Sequence, residues 1–71
     1  MNSLAKELEL KADHYSRAFQ IAARICRTRL GDTPEADIME EIFLKKALLE
    51  ADLRNRLAAD PEGTLKEEGL A

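Results

Sequence analysis

The sequence predicts an all-α fold: an antiparallel helical hairpin with a short C-terminal helix, paired into a four-helix bundle. Three observations carry this expectation. Chain breakers are few and clustered, at Gly31-Asp32-Thr33-Pro34, at Asp60-Pro61 with Gly63 close behind, and at Gly69. The two stretches between them, 2–30 and 35–59, contain no Gly or Pro and are rich in Ala, Leu, Glu, Lys and Arg, all strong helix formers. Apolar residues in both recur at intervals of three and four, with no alternating strand pattern to compete. The chain divides into residues 1–59, the hairpin, and 60–71, a short helix and tail.

The first helix is expected over 4–30, with Asn2 or Ser3 as its N-cap. Ala5, Leu8, Ala12, Tyr15, Phe19, Ala22 and Cys26 form a heptad seam, widened on one flank by Leu4, Ala18, Ile21 and Ile25. Gly31 supplies the left-handed C-cap. The second helix starts behind Asp32 or Thr33 as cap, with Pro34 in its first turn and Glu35 placed as in a capping box with Asp32. The loop 31–33 is short, so the two helices run antiparallel.

The second helix carries two apolar stripes. One contains Ile38, Met39, Ile42, Leu49, Leu53 and Leu57, and the other Phe43, Leu44, Ala47, Leu48, Ala51 and Ala58. Together they exceed the roughly 100° of a helix buried on one side. One hairpin covers only one stripe, so Leu44 and Leu48 are expected to face a partner. Asp60 caps a short third helix that Gly69 ends, and Leu65 and Leu70 either dock that helix or meet a partner. The candidate partner-binding residues are therefore Phe43, Leu44, Leu48, Ala51, Leu65 and Leu70.

Size sharpens this expectation. The chain has 71 residues, one cysteine and one histidine. A single core below ~70–80 residues rarely supplies more than ~3–5 kcal/mol, and chains of this size usually add disulfides, a metal or a partner. One cysteine excludes a disulfide framework and a thiolate zinc site, leaving a partner protein or a second copy of the chain. No apolar run reaches the ~18 residues of a membrane span, and no secretory signal is recognisable, so a cytoplasmic protein without membrane contact is expected.

Charge is divided unevenly. Residues 1–31 hold six basic and three acidic side chains, residues 32–71 five basic and eleven acidic. Arg24, Arg27 and Arg29 precede the turn and Asp32, Glu35, Asp37, Glu40 and Glu41 follow it. In an antiparallel pair these clusters adjoin, and each complements the macrodipole of its own helix end. Their expected role is to hold the turn. A nucleic-acid patch on Arg17, Arg24, Arg27 and Arg29 is the alternative, disfavoured by the net charge of −3.

Residue types that carry chemistry are sparse. Leu10, Lys11, Arg17 and Ala18 surround His14 on the helix, and none is a metal ligand. Cys26 lies on the apolar seam and reads as a small buried hydrophobe. Phosphate loops, nucleophile elbows, Cys-x-x-Cys and Glu-x-x-His are all missing. No enzyme activity and no cofactor is expected of the chain alone.

The stretch 47–70 carries a resemblance. Its Leu53-Arg54, Leu57-Ala58-Ala59-Asp60-Pro61, Leu65 and Glu68-Gly69 resemble the nitrile-hydratase-like leader peptides of ribosomally made, modified peptides. Small helical subunits of some extradiol ring-cleavage dioxygenases look similar around the same Asp-Pro step. The resemblance covers about a third of the chain. It implies a helical recognition segment read by a partner enzyme, without catalysis by this chain. The leading expectation remains a helical adaptor or accessory subunit, with a leader-like peptide and a small nucleic-acid-binding regulator as alternatives.

Overall fold

The computed structural model describes residues 3–70, which form three helices and, among those residues, no strand. Helix α1 spans Ser3–Leu30, α2 Pro34–Ala59 and α3 Pro61–Glu67. The expected cap Asn2 lies outside the described residues. α1 and α2 pack along their length as a hairpin, and α3 folds back on its open end. The result is a rod of 46 × 17 × 16 Å.

Local chemistry sets each boundary. Gly31 takes φ 65° and returns its N–H to the Arg27 carbonyl at 3.0 Å, which closes α1. Thr33 caps α2 by accepting the Ala36 N–H at 3.1 Å. That choice moves the cap one residue past Asp32. Glu35 then occupies the second helical position rather than the third, so no capping box forms. Asp60 ends α2 and begins α3, and its carboxylate accepts the Gly63 N–H at 3.1 Å. Gly69, at φ 74°, closes α3 with paired returns, Gly69 N–H to Lys66 and Leu70 N–H to Leu65.

The helix pairing departs from the expected seam. Buried on α1 are Ala5, Ala12, Ser16 and Ala23, and on α2 Ala36, Ala47 and Leu57. Small side chains let the axes approach closely. Ser16 Oγ donates to the Ala47 carbonyl across the interface at 3.0 Å, which satisfies a hydroxyl that sequence reading left outside the core. Of the predicted seam, only Ala5 and Ala12 are fully buried. Leu8, Phe19, Ala22 and Cys26 are half-buried and Tyr15 is exposed. The seam is thus turned sideways, to one flank of the hairpin. The α2 stripes are divided the same way: Ala47 and Leu57, from different stripes, both face α1. Apolar residues surround so much of each helix that periodicity alone left its rotation open.

Candidate functional site

Two flanks of the hairpin carry the candidate residues. On the first, Phe19 stacks on Phe43 with centroids 6.1 Å apart, and the Lys46 ammonium lies 6.0 Å from the Phe19 ring centre. Toward the open end of this flank is a groove of about 310 Å³, whose lining includes Leu8, Tyr15, Glu50, Leu53, Leu65 and Leu70. The second flank holds a groove of about 380 Å³ floored by Ser16 and Ala47 and edged by Gln20, Leu44, Leu48 and Ala51.

The six predicted partner-binding residues are therefore not one surface. Leu44, Leu48 and Ala51 share the second flank. Leu44 is 44% exposed and Leu48 70% exposed, while Ala51 is half-buried at the groove's edge. Phe43 is one residue, about 100°, away from Leu44, and is engaged with Phe19 on the first flank. Leu65 is 1% exposed, packed with Ala5 and Leu57 and flanked by Leu8 and Leu53. It docks α3 and offers nothing to a partner while α3 is in place. Leu70 follows the Gly69 turn and stays exposed at the rim of the first groove.

Ion pairs fix the remaining geometry. At the turn, Arg27 alone gathers what the sequence assigned to a cluster: Asp37 at 2.6 Å, Glu40 at 3.2 Å, Asp32 at 3.4 Å and the Gly31 carbonyl at 3.0 Å. Hydrogen bonds to Glu40 and then Asp37 hold the Arg27 guanidinium above its ordinary pKa. Arg24 and Arg29 form no ion pair among the described residues, and Arg17 is paired with Asp13 at 3.2 Å. Asp13 also receives Arg54 from α2 at 2.8 Å. Arg56 joins Asp52, Glu67 and Glu68 and so ties α3 to α2, with its own pKa raised chiefly by Glu68 and then Asp52. Thr64 Oγ1 adds a bond to the Arg56 carbonyl at 2.9 Å. Sequence reasoning missed Ser16, Arg54 and Thr64. The signal for Ser16 was its place in a row of small residues, Ala5, Ala12, Ser16 and Ala23, at spacings of seven, four and seven.

The residues with chemical potential stand apart. The exposed His14 ring meets Tyr15 edge-on at 5.9 Å. Cys26 is half-buried and unpaired. No three metal-capable side chains converge among the described residues, and no described helix is long and apolar enough to cross a membrane.

The architecture defines a class, the all-α helical hairpin with a short third helix. No family model, no curated protein and no solved structure matches the chain.

Proposed function

We propose that this chain is a non-catalytic helical interaction module, an adaptor or accessory subunit acting in the cytoplasm. It presents Leu44, Leu48 and Ala51 to a protein partner, and two further helices complete its hairpin to a four-helix bundle. The observation that carries this reading is the second flank: two exposed leucines border a groove floored by the small side chains of Ser16 and Ala47. A partner helix seats an apolar ridge in such a groove. Both groups at its floor are already satisfied, since Ser16 bonds Ala47, so apolar cover leaves no polar atom stranded.

Affinity capture followed by reconstitution with the identified, purified partner tests the reading. The wild-type complex should form, and Leu44→Glu or Leu48→Glu should lose it with helical content intact. Retention of the complex by both variants would sink the assignment.

A leader-like recognition segment in 47–70 is the second reading. It rests on the resemblance and on the Asp60 cap joining α2 to α3. Because Leu57 and Leu65 are buried, that reading requires α3 to undock before an enzyme reads it. Truncation after Ala59 should then abolish enzyme binding, and normal binding by the truncated chain removes this reading. Nucleic-acid binding is less supported, because Arg17 and Arg27 are occupied by carboxylates. A gel shift without salt-sensitive binding excludes it.

A further inference from the structure

The first flank is a separate surface from the Leu44–Leu48 groove, and α3 covers only its open end. α3 packs Leu65 against Ala5 and Leu57 at the open end, and between α3 with Leu70 and the pair Tyr15 and Glu50 lies the groove described above. Beyond that groove the flank continues to the turn with no third helix over it: Phe19, Ala22 and Cys26 on α1 and Met39 and Phe43 on α2 are half-buried, and Ile42 is exposed.

The dimensions of the chain say how much cover is missing. It exposes 5249 Å². A compact monomer of 8.0 kDa exposes about 4,450 Å². The difference, about 800 Å² over the whole rod and both of its flanks, is of the order each partner surrenders at an interface of standard size. The radius of gyration agrees, at 14.7 Å against about 11 Å for a compact chain of this length.

Charge identifies the occupant. Lys46 and Glu35 sit on this side of α2, at opposite ends of the uncovered stretch, eleven residues or about 16 Å apart. Both are exposed, and neither forms an ion pair among the described residues. A stripe with an apolar middle, one basic end and one acidic end complements its own reverse. We infer that the uncovered part of this flank binds the same part of a second copy, antiparallel, giving a four-helix bundle. α2 lies along α2 of the second copy about a midpoint near Glu40–Glu41. Lys46 of each copy then meets Glu35 of the other, and Ile38, Met39 and Ile42 fill the middle. On α1, Ala18, Ala22 and Cys26 are small enough for the two α1 helices to approach. α3 limits the register, since it stands across the open end of the flank. This inference rests on the reading of the chain as an interaction module and places a four-helix bundle of two copies on the first flank, apart from the groove offered to the partner.

Light scattering on the full chain tests it. Wild type should run at about 16 kDa, twice the 8.0 kDa chain, at about 100 µM. Ile42, 41% exposed, is the most direct site to break. Ile42→Glu should weaken the dimer by roughly a hundredfold, two buried charges being introduced beside the midpoint, with helical content unchanged. Lys46→Glu or Glu35→Lys should weaken it by about tenfold, each being felt twice through the symmetry. The double exchange Lys46→Glu with Glu35→Lys should restore wild-type affinity, which decides the matter even if Ile42→Glu unfolds. A wild-type monomer, or single exchanges that the double exchange fails to rescue, overturns the inference. So does a dimer lost in Leu48→Glu but kept in Ile42→Glu, which would place the second copy on the other flank. The first two failures leave the partner complex at Leu44 and Leu48 untouched, and the third would make the second copy a competitor for that surface, which the separate capture measurement resolves.

Discussion

The two ends of this hairpin are held by different physics. At the turn, three loop residues join α1 to α2, and one arginine gathers Asp32, Asp37 and Glu40 around them. At the open end no covalent link exists, and α3 bridges both helices with Leu65 against Ala5 and Leu57. Connectivity keeps the turn closed at little entropic cost, so exposed ion pairs suffice there. The open end must resist fraying, and the largest fully buried side chains among the described residues, Leu57 and Leu65, are both placed there. The contrast teaches that a hairpin needs its core where its chain is not joined.

Substitutions at the open end should therefore cost most. Leu65→Ala should lower unfolding stability by about 2–5 kcal/mol in urea titration at fixed protein concentration. A loss below about 1 kcal/mol would break the contrast by showing that α3 is ornamental. The shared middle comes next. Ala47→Leu overfills the close contact with Ser16 and should cost about 1–3 kcal/mol, read in the same titration. Asp60→Ala removes the cap of α3 and should cost about 1 kcal/mol, with amide exchange accelerated in 61–67 first.

The smallest change is expected at the turn. Arg27→Ala should lower the melting temperature slightly at low salt, and the difference from wild type should shrink in 1 M salt, where the Debye length falls to about 3 Å. The sign of the arginine's pH dependence follows from its raised pKa. A group raised in the folded state contributes below its unfolded pKa and loses that contribution as pH rises through the folded one. For Arg27 that window lies at strongly alkaline pH. The arginine itself should thus produce no change in stability between pH 6 and 9, which a melting series in matched ionic strength checks.

The same contrast explains what the sequence made legible. Helix limits were readable, because each rests on a residue with one local job: Gly31 and Gly69 at left-handed caps, Asp60 before Pro61, Pro34 in a first turn. Helix rotation was not. Ala5, Ala12, Ser16 and Ala23 are the contact row, yet the larger apolar residues beside them, Tyr15, Phe19 and Ile25, gave the stronger pattern. Hydrophobicity scales rank side chains by what they gain from burial, whereas close helix contact rewards what is small. The candidate site suffered the same ambiguity. Leu44 and Leu48, expected to face a partner, lie exposed together on one flank. Leu65 was assigned to docking or to a partner, and the geometry places it in the core. Phe43 was grouped with Leu44 as one stripe, though they lie on different flanks.

The position of α3 also bears on the order in which the chain folds. Residues joined at the turn meet after closing a three-residue loop, on the fastest scale available to a hairpin. Leu65 reaches Ala5 across sixty residues of sequence, and only once α1 and α2 are already aligned. Docking of α3 is thus the expected last event of folding and its release the expected first of unfolding, which amide exchange in 61–67 checks. The helix that covers the open end works as a latch: the hairpin can exist briefly without it, and while the latch is open the apolar residues beneath it are available to whatever is nearby.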